Sequence, residues 1–390
     1  MFYLQEQRNI IGMLFPDAEQ YHSYLESIGI FLEKEILPDA KKIDQGAIFP
    51  RRNLEKVAEK GIMAIPFPKD LGGLGLPCPI YVAAMEMLAK ACANTALQVD
   101  VQNMVCEGIR LFGNDRQKSE YLLENGLAAG KKLIAFALTE PCCGSDAGAL
   151  QTTAVLSGGT YVLNGSKTMI TNPGEADFVL VFARTEKGVS AFVVPKKTTG
   201  FDVVADMQKL GFLGNKLSAI RIKDCAVPRE NLIGEEGQGL ECAKQVLNAG
   251  RLSIAAMGVG IAQAAYGKAL AYSKRRKASG GTISEFQMIR QKLADMVTGI
   301  NAARLLTCHA AMLKDKGEDA VSQISQAKLF SSEMALRVCD DAIQVHGGYG
   351  YTDGFDVHRH WRDARLLTIG EGTSEVLRLL IARLELKETT

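Results

Sequence analysis

Four short stretches hold residues whose types and spacing could do chemistry. Leu138-Thr-Glu-Pro-Cys-Cys-Gly-Ser-Asp146 is a polar loop at the end of an apolar run. Its backbone N–H groups and the Thr139 and Ser145 hydroxyls suit an anionic or carbonyl-rich ligand, and an ordinary loop has the same composition. The adjacent Cys142 and Cys143 read either as a redox pair or as two small residues filling a tight loop. Thr168-Met-Ile-Thr-Asn172 sets an apolar side chain and a hydroxyl on a second strand edge, with a plain core strand as the competing reading. Gln344-Val-His-Gly-Gly-Tyr-Gly350 closes a helical stretch, where Gly347 and Gly348 allow a ligand close to the backbone or act as a simple helix stop. Gly370-Glu-Gly-Thr-Ser-Glu375 precedes the last apolar-periodic stretch. With Thr373 or Ser374 as cap, that helix N-terminus suits a pyrophosphate or other anion. Glu371, flanked by glycines, is a carboxylate on a thin backbone that can lie against a ligand; taken alone it reads first as a solvated loop carboxylate.

The elements that must position these residues follow from periodicity. From Tyr21, the residues Tyr24, Leu25, Ile28, Phe31 and Leu32 recur at helical spacing. Helical stretches follow around residues 54–60, 80–91, 95–112 and 117–124, punctuated by Pro66, Pro68, Gly72, Gly73 and Gly75. Residues 1–132 are thus expected to form an N-terminal α-helical domain. Short runs rich in Val, Ile, Phe and Tyr then appear at 133–138, 160–163, 178–183, 190–195, 201–204 and 218–222. Turn signals lie between them at Gly158-Gly159, Asn164-Gly165, Asn172-Pro173-Gly174 and Thr199-Gly200. Residues 133–239 are expected to form an antiparallel β-barrel or sandwich. From 240 to 390 helices return: Phe286, Ile289, Leu293, Met296, Ile300 and Ala303 step by three and four. Similar patterns at 252–273, 322–346 and 374–386 make a four-helix bundle the expected architecture, and Arg251 stands at a helix start. The fold class is α+β, multidomain.

Composition bounds the function. At roughly 150 residues per domain, 390 residues give two or three domains, and 47% hydrophobic residues are ample for a core. A net charge of +1 leaves no field to favour nucleic acid or an acidic membrane surface. The apolar runs of about six residues are far short of the roughly 20 that span a bilayer. The N-terminus lacks a basic region followed by an apolar block, so a cytoplasmic location is expected. Nine cysteines without C-x-x-C or a His/Cys cluster at metal spacing argue against a disulfide framework and a zinc site.

In this order and layout, the motifs resemble the acyl-CoA dehydrogenase family. The resemblance runs from about residue 21 to residue 386. It takes in 66–76, Phe112-Gly113, the 138–146 and 169–172 stretches, 224–234, Arg251 onward, Glu285-Phe-Gln287, 344–348, Arg362-Asp363 and 371–375. It implies the helical, β and four-helix-bundle domains above, usually in a homotetramer that binds FAD. Phe136, Leu138, Thr139, Gly144, Ser145, Met169 and Thr171 would then line the flavin and its ribityl chain. Arg276, Gln287, Gln344, Gly347 and Gly348 would contact the ADP half, usually across a subunit boundary, with Thr373 and Glu375 also near it. Asn248 and Arg251 would flank the CoA arm of an acyl-CoA and Ser145 its pantetheine, with Gly372 beside the substrate.

The implied reaction takes a proton from Cα to Glu371 and a hydride from Cβ to flavin N5, and passes the electrons to an electron-transfer flavoprotein. The Glu371 N–H and a ribityl hydroxyl would stabilise the enolate-like oxygen. Burial should raise the Glu371 carboxyl toward neutrality. In one branch of the family the base precedes the arginine matching Arg251; here that residue is Gly250. Three positions depart from the common pattern. Met169 stands for an aromatic beside the flavin, Ser279 for a phenylalanine before Gly280, and Leu213 for an arginine.

Asp100 falls in the segment that lines the family's acyl pocket, where apolar or small polar residues are usual. A buried carboxylate there is costly without a partner or a task. It reads as a solvent-facing or paired Asp, or as a second proton acceptor in a 1,4-type dehydrogenation of a cyclic enoyl-CoA. The arginine near Asn94 expected of a glutaryl-specific relative is absent. An oxidase, reductase or nitroalkane enzyme on the same fold is a competing reading. So is a DNA-associated branch of the superfamily, against which the net charge and the retained Glu371 both speak.

Overall fold

The computed structural model describes residues 3–387. Residues 1–2 and 388–390, the ends of the first and third expected domains, lie outside the described residues. The chain opens with α1 (Gln5–Leu14), α2 (Glu19–Phe31), α3 (Ala40–Gln45), α4 (Arg51–Glu59), α5 (Cys78–Ala91), α6 (Ala93–Phe112) and the single turn α7 (Asp115–Gln117). The stripe that begins at Tyr21 is α2, which buries His22, Leu25 and Ile28. Cys92, in extended backbone, separates α5 from α6. Both helices are almost wholly buried. The expected helix at 117–124 is instead one α turn capped by the Asn114 side chain, followed by a wide π turn over Lys118–Glu124.

Eight strands form one sheet: β1 (Ile134–Ala137), β2 (Thr153–Ser157), β3 (Thr160–Thr171), β4 (Phe178–Thr185), β5 (Gly188–Pro195), β6 (Phe201–Asp206), β7 (Leu217–Pro228) and β8 (Leu232–Ile233). They lie in the order β6-β7-β3-β2-β4-β5-β8, with β1 added on β4. The sheet is mixed, not purely antiparallel as expected, because β1 runs parallel to β4 from Ile134↔Phe178 to Ala137↔Val181. β1 leaves the helical domain and the chain passes through β2 and β3 before β4, the long connection that a parallel pair requires. Asn164-Gly165 is not a turn. It lies inside β3 at a register shift against β7, where a Cβ on Gly165 would stand 2.4 Å from Thr152 Oγ1. A second shift between Lys167 and Ile170 turns out Met169, whose φ is +56°.

The last part contains α8 (Gly239–Ser273), a small hairpin of β9 (Lys277–Ala278) and β10 (Gly281–Thr282), then α9 (Gln287–Asp315), α10 (Val321–His346), α11 (Val357–Leu367) and α12 (Ser374–Leu386). α8 is 35 residues long and starts at Gly239, so Arg251 lies mid-helix and not at a helix start. Among the described residues it is the one helix long and apolar enough to cross a membrane, and 61% of its most apolar window is buried inside the fold. Its small residues let neighbours approach closely: a Cβ on Gly260 would lie 2.1 Å from the Glu86 carbonyl of α5, and one on Gly258 2.5 Å from Ser331 Oγ of α10. The buried Glu86–Arg304 pair, with Nη2 to Oε1 at 2.9 Å, ties α5 to α9 beside this contact.

Gly260→Ala is therefore expected to destabilise the protein by about 1–3 kcal/mol through overpacking. The midpoint of urea unfolding checks this; an unchanged midpoint would show that α5 and α8 separate freely.

Candidate active site

Glu371 sits in the turn between α11 and α12, with a backbone φ of +55° that non-glycine residues seldom adopt. Two buried cations hold this turn. Arg251 Nε on α8 donates to the Glu371 carbonyl at 3.1 Å, and Lys328 Nζ on α10 donates to the Gly372 carbonyl at 2.6 Å. Both cations approach the peptide oxygens and leave the carboxylate free. Glu371 Oε2 is buried with no hydrogen-bond partner. Gly250 supplies the space for it, since a Cβ there would stand 2.3 Å from Glu371 Oε2 and 2.9 Å from Met104 Sδ. Among the described residues, no partner accepts the Glu371 N–H either. The next residues begin α12, where Thr373 caps the helix by accepting the Val376 N–H at 3.3 Å.

Asp100 faces this group from α6 and is completely buried, with both carboxyl oxygens unpartnered. It is neither solvent-facing nor ion-paired. Burial, then the neighbouring Glu371 carboxylate, push Asp100 well above the ordinary carboxylate range, with Ser253 pulling the other way. Burial also raises Glu371, while Asp100, Lys328 and Arg251 pull it back. Asp100 is thus the carboxyl that keeps a proton and Glu371 the one that ionises more readily. Burial brings Lys328 down to about 8 against the pull of Glu371.

The loop after β1 lies alongside β3. Thr168 N–H donates to the Thr139 carbonyl at 2.9 Å, and Lys167 Nζ reaches the Leu138 carbonyl at 3.1 Å and Glu140 at 2.7 Å. Leu138 is buried, Phe136 half-buried edge-on to Phe182, and Gly144 and Ser145 are exposed. Met169 is 55% exposed on the bulge, with Thr171 two residues on along β3. Asn172 joins this edge to α6, donating to Gln98 Oε1 at 2.6 Å. The Sγ atoms of Cys142 and Cys143 and a Glu140 oxygen lie within 4.8 Å of one another, a grouping that sequence spacing does not reveal. Glu140 is already engaged by Lys167 and by the N–H groups of Gln151 and Thr152. Cys142 and Cys143 occupy a tight turn closed by paired hydrogen bonds between Glu140 and Cys143, and all nine cysteines are free.

A second group lies elsewhere. Arg276 stacks over the Tyr349 ring at 5.6 Å, which brings it to the turn containing Gly347 and Gly348, next to Gln344 at the end of α10. Gln287 begins α9 just beyond the β9–β10 hairpin. From Arg251 to the end of α8 is about 33 Å at 1.5 Å per residue, so one chain does not bring this group to Glu371. Asn248, three residues before Arg251 on α8, has a buried, unpartnered Oδ1. Arg251 itself is only 9% exposed.

Lys328, Ser253, Tyr81, Asn103 and the space at Gly250 were not legible as site features. Lys328 carried one signal, a lysine one helical turn from Ile324 and Ser332 on the buried stripe of α10. The others look like ordinary helix residues.

The chain matches the acyl-CoA dehydrogenase N-terminal domain over residues 18–131, the middle domain over 135–225 and the C-terminal domain over 237–386, and it belongs to that family. It is 40% identical over 370 residues to the human mitochondrial short-chain specific acyl-CoA dehydrogenase, covering 93% of this chain and 89% of that one. It is 42% identical over 358 residues to a short-chain specific acyl-CoA dehydrogenase of Clostridium acetobutylicum, covering 90% and 94%. The structure of butyryl-CoA dehydrogenase from Megasphaera elsdenii superposes with a TM-score of 0.91 at 36% identity, covering 94% and 98%. The chain is thus an acyl-CoA dehydrogenase, and its cofactor is FAD. The residues present fit that cofactor: Met169 offers an exposed face on the β3 edge, and a Cβ on Gly144, Gly347 or Gly348 would meet nothing within 4 Å.

Gly250→Ala should displace the Glu371 carboxylate and lower kcat by about 100-fold with FAD still bound, measured by steady-state turnover beside the flavin absorbance. Undiminished kcat would mean that Glu371 works from another position. Asp100 has a second consequence. Its pKa is raised on folding, so its contribution to stability is fully present below the ordinary carboxylate pKa and is lost as pH rises toward the folded value. Asp100→Asn should therefore raise the urea midpoint of the substrate-free enzyme at pH 8, with the gain gone by about pH 4. A gain that is the same at both pH values would contradict the buried, proton-retaining Asp100.

Proposed function

We propose that this chain dehydrogenates an acyl-CoA across Cα–Cβ, with Glu371 as the base for the Cα proton. The observation that carries the reading is Glu371 Oε2, buried without a hydrogen-bond partner in the space left by Gly250. A base in that state keeps its reactivity for the substrate, and burial brings its proton affinity toward that of a weak carbon acid. The unpartnered Glu371 N–H is a donor for the thioester oxygen as charge develops there. Arg251 and Lys328 hold the turn from behind, so base and N–H keep a fixed separation. FAD, when bound, supplies the acceptor for the hydride that leaves Cβ. Phe136, Leu138, Thr139, Gly144, Ser145, Met169 and Thr171 would hold its flavin and ribityl portions, with Thr373 and Glu375 at the start of α12 near the cofactor. Arg276, Gln287, Gln344, Gly347 and Gly348, at the far end of α8, would serve the ADP half of the FAD in a second copy of the chain, within a tetramer. The buried Asn248 Oδ1 suits an N–H of the pantetheine arm, with Arg251, Gly372 and Ser145 beside it. An electron-transfer flavoprotein would reoxidise the enzyme.

Asp100 supports a second reading, 1,4-type dehydrogenation of a cyclic enoyl-CoA with Asp100 as acceptor of the second proton. Its burial and lack of hydrogen bonds beside Glu371 favour it. Its retention of a proton opposes it, because an acceptor must first be ionised.

Anaerobic flavin bleaching against straight, branched and cyclic acyl-CoAs tests both. Glu371→Gln should keep yellow FAD and slow bleaching by at least about 100-fold; full bleaching at the original rate would sink the assignment. Asp100→Asn should lose turnover only on cyclic enoyl-CoA if the second reading holds, and unchanged turnover on every active substrate removes it.

A further inference from the structure

Behind the Asp100–Glu371 pair a cleft opens between α5, α6, α8 and α9, enclosing about 810 Å³ with its mouth included. Its inner wall carries Tyr81, Asn103, Met104 and Ser253. Met104 also packs at Gly250 beside the Glu371 carboxylate. Asp100 lies one turn before Asn103 and Met104 on α6, so the cleft adjoins the reacting centre. A hydrocarbon chain would be best received by apolar walls throughout; here Tyr81, Asn103 and Ser253 set polar groups among the apolar Met104 and Leu252.

Its polar groups are not equally committed. The Tyr81 hydroxyl and Ser253 Oγ are bonded to each other at 2.9 Å. At the mouth, Glu107 takes Lys314 at 3.2 Å and Arg110 at 2.7 Å, and Asp315 accepts the Cys78 N–H at 2.7 Å. These charges satisfy one another and leave none for an ionic end group. Asn103 differs. It is 4% exposed, and neither its Oδ1 nor its Nδ2 lies within hydrogen-bond distance of a partner; the Tyr81 hydroxyl that neighbours it is spent on Ser253. A buried amide left without both its donor and its acceptor bonds costs stability, and such groups in folded proteins are normally satisfied. One neutral group answers both needs, a hydroxyl that accepts from Nδ2 and donates to Oδ1.

We propose that the acyl pocket receives a hydroxylated acyl group: an acyl-CoA whose chain or ring carries a neutral hydroxyl beyond Cβ, bound by the Asn103 amide. This rests on the dehydrogenase reading and names its substrate class. A carboxylate in place of the hydroxyl would face Asp100 and Glu371 and be repelled. An ammonium would meet Arg110 and Lys314 on its way in.

Matched ligand pairs test it on the FAD-loaded enzyme. Hexanoyl-CoA and 6-hydroxyhexanoyl-CoA form one pair, and cyclohexanecarboxyl-CoA and its 4-hydroxy derivative another. Kd is measured by calorimetry in Glu371→Gln, where turnover does not interfere, and flavin bleaching is followed separately in the unmodified enzyme. The hydroxylated member of at least one pair should bind about tenfold tighter. Asn103→Leu, added to Glu371→Gln, should abolish the preference by weakening the hydroxylated ligand while the parent binds as well or better. Equal Kd values within both pairs overturn the proposal whether or not the flavin bleaches, and so does a preference that survives Asn103→Leu. A preference lost in Asn103→Leu but without bleaching by any member supports the subsite and sinks the dehydrogenase reading instead. The unmodified Asn103 side already decides the matter should the Leu variant fail to fold.

Discussion

A carboxyl oxygen buried without a hydrogen-bond partner, as Glu371 Oε2 is, needs its backbone held by something other than its own side chain. In this protein the holding is done from behind, by Arg251 on the Glu371 carbonyl and Lys328 on the Gly372 carbonyl. Each is a charge-assisted hydrogen bond to a peptide oxygen, strong enough to offset the left-handed conformation at Glu371. The two cations also supply positive potential that draws Glu371 toward ionisation, against the burial that raises its pKa. A direct salt bridge would have stabilised the carboxylate more and consumed its basicity.

That arrangement sets demands on the rest of the fold. Arg251 belongs to α8 and Lys328 to α10, so the position of Glu371 is fixed only as well as those two helices are fixed against each other. Small residues on α8 let the helices close: Gly258 against Ser331, Gly260 against the Glu86 carbonyl, and Gly250 against Glu371 itself. One helix thereby sets the scaffold, the anchor and the room for the Glu371 carboxyl group. The β-domain is tied to the same frame through Asn172 and Gln98 on α6, the helix that also carries Asp100 and Asn103.

The length of α8 separates the two groups of candidate site residues. Arg251 and Glu371 lie near one place on it, Arg276 and the 347–349 turn beyond its other end, about 33 Å away by helical rise. A single chain presents each group to different surroundings. The exposed aromatic residues Tyr349 and Tyr351, at 50% and 91%, sit at that far end.

Local chemistry was well written in the sequence. The α9 stripe from Ile289 to Ala303, the Gly158-Gly159 turn, the helix cap at Thr373 and the loops at 138–146 and 370–373 depend on neighbours in the chain, and each lies where its pattern indicates, whereas Phe286 stands exposed just before α9. The misreadings were cases where a distant partner overrode a local signal. Asn164-Gly165 has turn chemistry but lies within β3 because Thr152 packs against the glycine. β1 pairs parallel with a strand some forty residues on, a choice that no residue of 134–137 announces. The start of α8 was obscured by its own glycines. By itself, then, the sequence determined the family and the kind of element that most stretches form. Only the tertiary structure decided that Asp100 is buried against Glu371, that Gly250 is a space and not merely a missing base, that Lys328 is an anchor, and that Asn103 is left without partners. Those properties are distances between residues more than 40 positions apart or the absence of a neighbour, and neither has any periodicity along the chain to record it.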